Sequence, residues 1–188
     1  MMNDQITLEP GDVLCVTGDM FIVSTGIRLV EKFWSKDNEA TYGHSAIVGS
    51  AGGTLLDTLW RTRWTHISRY AGQQMIIARP VKTLRGIVID DAAKSLAVKM
   101  LSTECHGKLY PVHRLFLHLI PPLAKYFSNG HWRVCSENSA KLAVMLGAMN
   151  EPWAGITPDD LADRWRRWNN FEVIFEGIWD NNLNKENI

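Results

Sequence analysis

The sequence predicts an α+β fold in which a mainly antiparallel sheet packs against a helix that begins at Cys135. Short apolar runs bounded by glycine or proline predict strands over residues 13–16, 44–48, 54–60, 75–78 and 171–175. The short glycine-rich segment 49–53 suits a hairpin between the second and third of these strands. Apolar residues at helical spacing predict helices over residues 20–34, 90–105, 135–146 and 157–168.

Start and stop signals support three of the helices. Acidic residues stand at the start of 90–105, Gly147 follows the helix at 135–146, and Thr157 precedes Pro158 in the typical order of an N-cap and a first helical residue. In the helix at 90–105, the spacing predicts an inward face made of Ala92, Leu96, Ala97, Met100 and Leu101.

Length and charge bound the class of protein. The chain has 188 residues, which favours a single domain over residues 1–180 followed by a polar tail at 181–188. Its 20 basic and 20 acidic side chains give no net charge. Broad nucleic-acid binding needs a surplus of lysine and arginine, so we expect no nucleic-acid partner.

The sequence also bears on location. Three cysteines without paired spacing argue against a disulfide framework and for a reducing compartment. The N-terminal residues show no secretory signal, so we expect a cytoplasmic protein. No apolar run is long enough for a spanning helix. Residues 115–127 instead suggest a buried or interfacial helix that is interrupted by Pro121 and Pro122, which leaves room for peripheral membrane contact.

Cys135 is the candidate nucleophile. It follows Val134 at the predicted start of a helix. The unpaired N–H groups and positive partial charge of a helix N-terminus stabilise a thiolate and a nearby developing oxyanion. The alternative is a buried cysteine that fills a pocket at the helix start.

A cysteine nucleophile needs a base, and the base needs an orienting group. Among six histidines, His44 is favoured because it opens a strand directly after Gly43, and a strand end holds an imidazole rigidly. His118 lies among apolar residues and suits a core position, whereas His131 precedes Cys135 across a predicted loop.

Asp57 is the candidate orienting group. If the connection between its strand and that of His44 has an even number of residues, both side chains lie on one face of the sheet, and a two-residue turn at Ser50 and Ala51 would place them directly opposite. An odd connection would turn Asp57 to the other face, as a solvated charge.

These motifs together resemble a known family. The order is Gly11-Asp12-Val13-Leu14, then Gly43-His44-Ser45-Ala46-Ile47-Val48, then Leu56-Asp57, and finally Val134-Cys135-Ser136-Glu137. It is similar to that of the circularly permuted papain-like hydrolases of the YiiX/YaeF type, relatives of NlpC-type peptidases and lecithin retinol acyltransferase. The segment 156–162 also resembles the one that follows the cysteine helix in that group.

The resemblance implies a permuted papain-like domain and a thiol hydrolase with Cys135 as nucleophile, His44 as base and Asp57 in the third position, where the family often has the longer glutamate. It implies cleavage of an amide in a peptide or peptidoglycan-like substrate through an acyl-enzyme. A lipid ester hydrolase or acyltransferase is the alternative. A cell-wall substrate without a signal peptide would suit a phage- or virus-encoded protein.

Two other hypotheses stay open. A zinc site would have to use Cys105, His106 and His113, but adjacent ligands on one helix point in different directions. We therefore expect no metal and no cofactor. The chain could also be a binding module that retains the fold without catalysis.

Overall fold

The computed structural model describes residues 6–17, 41–109, 133–150 and 155–184. The expected helix at 20–34, the apolar segment 115–127 and three of the histidines (His113, His118 and His131) lie outside these ranges. The strands are β1 (Val13–Val16), β2 (His44–Val48), β3 (Thr54–Thr58), β4 (Thr62–His66), β5 (Gln74–Pro80) and β6 (Phe171–Ile178). The α-helices are α1 (Asp91–Cys105), α2 (Cys135–Met145) and α3 (Pro158–Arg167), and 3₁₀ turns cover Ile67–Tyr70 and Asn181–Asn184.

The described strands form one six-stranded sheet in the order β4-β3-β2-β1-β5-β6. Every neighbouring pair is antiparallel. With the helices it makes a mixed α+β structure, as the sequence predicts. The sequence did not predict β4, and it ended the last strand at Phe175, whereas β6 continues to Ile178.

The β2–β3 hairpin has the predicted parity but a different turn. The Gly53 N–H donates to the Ser50 carbonyl at 3.0 Å, so the turn is centred on Ala51 and Gly52, one residue later than predicted. This shift moves the register by two positions, and Asp57 faces Ala46 rather than His44. An even shift keeps Asp57 on the face of His44, as its diagonal neighbour.

The helix ends follow their sequence signals. Asp90 caps α1 by accepting the Ala93 N–H at 2.6 Å, and Thr157 caps α3 by accepting the Asp160 N–H at 3.1 Å. Gly147 has a φ of 67°, the left-handed conformation predicted beyond the end of α2. These signals are local, which is why the sequence located these ends within about two residues.

The sheet has a hydrophobic cluster on each face. The first cluster lies between the sheet and the three helices, and its members include Ile47, Leu56, Ile76, Leu101 and Trp165. The second covers the opposite face, with Leu14, Val48, Tyr70, Ile77 and Trp179 among its members. Within the described ranges, no helix combines the length and apolar character needed to cross a bilayer.

The predicted inward face of α1 is partly wrong. Ala97 and Leu101 are buried, but Ala92, Leu96 and Met100 point to solvent. The helix is turned so that Lys94 lies inward, with its alkyl chain against Gly11 and its Nζ 2.8 Å from Glu9. Because a long lysine can bury its stem and keep its charge paired, it occupies a position that the apolar pattern assigns to solvent.

The orientation of α1 predicts that alanine substitutions of two of its leucines lower the free energy of unfolding by different amounts. Leu101 is fully buried and Leu96 is 58% exposed. We expect Leu101→Ala to lower the free energy of unfolding by about 2–5 kcal/mol, because it leaves a cavity. The matched variant Leu96→Ala should change it by less than about 0.5 kcal/mol. Urea denaturation measures both, and equal losses would contradict the observed face of α1.

Candidate functional site

The start of α2 places Cys135 at the first helical position. Its N-cap is Val134, whose side chain accepts no hydrogen bond. The fully buried Glu137 compensates, since its carboxylate accepts the Val134 N–H at 3.1 Å and the Gly155 N–H at 3.0 Å. A carboxylate in the first turn also favours the helix dipole. Glu137, the third residue of α2, therefore ties the segment before Cys135 to the helix.

His44 reaches the thiol from the first position of β2. Ala46 and Val48 belong to the second cluster, and strand alternation places His44 on their face of the sheet. The His44 side chain is hydrogen-bonded to Asp57, and it lies close enough to Cys135 for each group to shift the pKa of the other. The Asp57 Oδ1 lies 2.7 Å from Nε2, so Nδ1 is the ring nitrogen left for the thiol. The three residues that the sequence singled out are thus joined in one chain of contacts.

Asp57 is fully buried and its two oxygens have different partners. Oδ1 contacts His44, while Oδ2 accepts the Tyr70 hydroxyl at 2.8 Å and the Thr65 hydroxyl at 3.2 Å. Burial alone would raise the pKa of Asp57, but the charge and hydrogen bond of His44 and the two hydroxyls lower it below the usual value. The carboxylate is therefore held in its charged form.

The thiol and the imidazole shift each other's pKa in opposite directions. Burial alone would raise the pKa of Cys135, but the charge and hydrogen bond of His44 and the N–H groups of Ser45 and Ser136 lower it. Burial alone would lower the pKa of His44, but the charges of Cys135 and Asp57 raise it. A lowered thiol pKa beside a raised imidazole pKa favours thiolate and imidazolium at neutral pH.

Polar contacts hold α2 against the strands that carry His44 and Asp57. Ser139 pairs with Ser45 through their hydroxyls at 3.1 Å, one residue from His44. Asn138 donates from Nδ2 to Thr58 Oγ1 at 3.0 Å, one residue from Asp57. Each contact lies next to a residue of the site, so the helix and both strands hold a fixed spacing.

The segment before His44 is anchored by α3. The N–H groups of Thr41 and Tyr42 both donate to Asp159 Oδ1, at 3.1 and 3.3 Å. The Tyr42 hydroxyl lies within hydrogen-bonding distance of Glu176 and Arg166. The start of β2 is therefore fixed by residues more than a hundred positions later in the chain.

The other two cysteines of the chain, and His66, make contacts of their own. Cys15 is buried and its thiol donates to the Pro158 carbonyl. Burial raises the pKa of Cys105 to about 11, so its thiolate is rare at neutral pH. His66 contacts Ser68 and the Gly52 carbonyl through its two ring nitrogens, away from Cys135.

No metal centre is found in the part of the chain that the structure describes. Three or more cysteine, histidine or acidic residues nowhere cluster in metal-binding positions among those residues. The zinc hypothesis also needs His113, which lies outside them. The expectation that the full chain binds no metal therefore stays a prediction.

Sequence reasoning missed Thr65, Tyr70 and Glu137. Glu137 could have been found, because an acid at the third helical position is a capping signal. Thr65 lies on β4 and Tyr70 ends a 3₁₀ turn, and no sequence pattern predicts either element. Their contact with Asp57 depends on how the chain turns back after β3, which no local pattern reveals.

No protein-family model matches the chain, and no curated protein matches it.

Proposed function

We propose that the chain is a cysteine-dependent hydrolase with Cys135 as nucleophile, His44 as acid and base, and Asp57 as the group that orients His44. The observation that carries the proposal is the buried chain of contacts from Cys135 through His44 to Asp57. A buried ion pair is stable only when other contacts offset the loss of hydration. In the proposed site, the pair consists of the His44 imidazolium and a Cys135 thiolate at a helix start. The sequence resemblance to permuted papain-like hydrolases supports the same roles and the same fold.

The reaction follows from these positions. The Cys135 thiolate attacks the carbonyl carbon, a C–S bond forms, and the carbonyl electron pair moves to oxygen. The Cys135 N–H, at the helix start, stabilises this oxyanion. When the intermediate collapses, the C–N bond breaks and the proton on His44 Nδ1 passes to the leaving amine.

Water completes the cycle. His44, now neutral, accepts a proton from water as the hydroxyl oxygen attacks the thioester carbon. The C–S bond then breaks, the acid product leaves, and Cys135 returns as a thiolate beside a protonated His44. An amide in a peptide or peptidoglycan-like substrate is the proposed bond. The alternatives are distinguished by exposing the protein to an amide probe and a matched ester probe and identifying the acyl group that stays bound to it. An ester-selective enzyme would retain the acyl group of the ester probe only, and a silent module would retain neither.

The first prediction concerns the identity of the nucleophile. At pH 6, iodoacetamide should alkylate Cys135 well before Cys105, because the pKa of Cys135 is lowered and that of Cys105 is raised to about 11. Cys135→Ser should abolish turnover of a p-nitrophenyl ester while leaving the thermal midpoint nearly unchanged, since serine ionises far less readily.

Cys105→Ser is the matched control. It removes a buried thiol outside the proposed site and should retain turnover. Peptide mapping by mass spectrometry identifies the alkylated residue. Full turnover in the Cys135→Ser variant would remove Cys135 from the mechanism.

The second prediction concerns the base. His44→Ala should reduce turnover by roughly 10²-fold or more, the usual scale for lost acid–base catalysis. It should also slow alkylation of Cys135 at pH 6, because the burial that opposes the thiolate stays while the imidazolium is lost. In the wild type, the ion pair should persist until the pH rises through the pKa of His44, at about 10, and be lost at low pH when Cys135 is protonated.

Two histidine variants serve as comparisons for His44→Ala. His106→Ala changes an exposed residue at the end of α1 and should leave the pH profile intact. His66→Ala should act through stability, because it removes two contacts that fix the turn before Tyr70. If the low-pH reactivity of Cys135 fell only in the His66 variant, His44 would be the wrong base.

A further inference from the structure

The carboxylate of Asp57 is held asymmetrically by two hydroxyl groups. Tyr70 and Thr65 both donate to Oδ2, at 2.8 and 3.2 Å, and Oδ1 is left to His44. Tyr70 is 1% exposed and Asp57 is fully buried, whereas Thr65 is half-buried, so Tyr70 is the donor that is shielded from solvent. The Tyr70 ring also lies near the His44 ring, with centroids 6.0 Å apart.

We propose that Thr65 and Tyr70 are positioning residues that fix which end of residue 57 faces His44, and that they make the site require a carboxylate rather than an amide. This inference rests on the proposed function, because it concerns how the base is kept in its working state. We call the two hydroxyl groups of Thr65 and Tyr70 the hydroxyl clamp.

The clamp discriminates because an amide has one acceptor end and one donor end. In an Asp57→Asn variant, two hydroxyl donors would hold the amide oxygen at the position of Oδ2. The NH₂ group would then face His44 Nε2, which itself carries a proton in the imidazolium. Two donors cannot share a hydrogen bond, so the imidazolium is destabilised.

The consequence for the thiol has a definite sign. A neutral His44 would accept from the NH₂ group through Nε2 and carry its proton on Nδ1, the nitrogen that faces Cys135. Nδ1 could then not accept the thiol proton, and the thiolate would lose its counter-charge. The Asp57→Asn variant should therefore have a less basic His44 and a less acidic Cys135.

Removal of the clamp should reverse this effect. Without the hydroxyls of Thr65 and Tyr70, the amide is free to rotate and present its oxygen to Nε2, which restores an acceptor for the imidazolium. The charged or titratable groups that act on His44 are Asp57 from β3, with Tyr70 beside its ring, and Cys135 from α2. Arg69 acts on Tyr70 and is retained in every variant.

The experiment compares Asp57→Asn with the triple variant Asp57→Asn/Thr65→Val/Tyr70→Phe. Two measurements are made at pH 6: the ¹⁵N chemical shifts of the His44 ring and the iodoacetamide alkylation rate of Cys135. We expect Asp57→Asn to show a neutral ring protonated on Nδ1 and alkylation slowed by roughly tenfold, as for a pKa change of about one unit. The triple variant should regain the imidazolium shifts and at least a threefold faster alkylation than Asp57→Asn.

Asp57→Asn/Thr65→Ser is the matched control, since serine keeps the hydroxyl and should give no recovery. If the triple variant fails to fold in a thermal melt, Asp57→Asn/Tyr70→Phe, which keeps the aromatic ring in the second cluster, provides the same comparison with a smaller recovery. Identical ring shifts and alkylation rates in Asp57→Asn and its clamp-free variant would overturn the proposal, as would an unchanged imidazolium in Asp57→Asn.

Both measurements are independent of any acyl substrate. Recovery in the clamp-free variant, together with no turnover of any amide or ester by the wild type, would support the clamp and reject the proposed hydrolase. Turnover by the wild type, with no recovery in the clamp-free variant, would support the proposed hydrolase and reject the clamp.

Discussion

The buried carboxylate of Asp57 is the constraint around which the rest of the site is organised. A charged group without exposed surface must have both oxygens hydrogen-bonded, because an unsatisfied buried charge costs several kcal/mol. Its partners come from β2, from β4 and from the turn that follows β4. These elements are therefore held together at one point by a single side chain, and the ring of His44, the proposed base, is oriented by the same contacts that satisfy the charge.

A second buried carboxylate has a matching role beside Cys135, the proposed nucleophile. Glu137 joins the N–H of Val134 to that of Gly155, so the entry to α2 and the segment before α3 are fixed together. The two acids act in different ways on their neighbours: Asp57 supplies a counter-charge to His44, whereas Glu137 accepts the main-chain N–H groups of Val134 and Gly155. In both cases the acid acts on the segment or side chain next to the proposed reactive residue.

The sequence predicted what depends on local patterns and failed where distant contacts decide. Strand alternation placed His44 and Asp57 on one face even though the turn between them was assigned one residue early, because the shift was even. The face of α1 was partly wrong, because Lys94 is drawn inward by Glu9, a residue 85 positions away. The contact of Tyr70 with Asp57 could not be predicted from the sequence for the same reason. Nothing in its neighbourhood indicates that it will meet Asp57, and only the path of β4 brings it there.

The sheet lies between α2, which begins at Cys135, and the face that carries His44. Each of these two parts of the site is therefore held in place by contacts with other elements. α2 packs with the first cluster, whereas His44 lies on the face of Ala46 and Val48 in the second. Thiol and imidazole can meet only at the end of β2, where the sheet no longer lies between them. A strand end frays more readily than a strand centre, so β2 has to be held at its first residue. Asp159 supplies that hold by binding the two main-chain N–H groups just before Gly43, which couples the geometry of the base to the docking of α3.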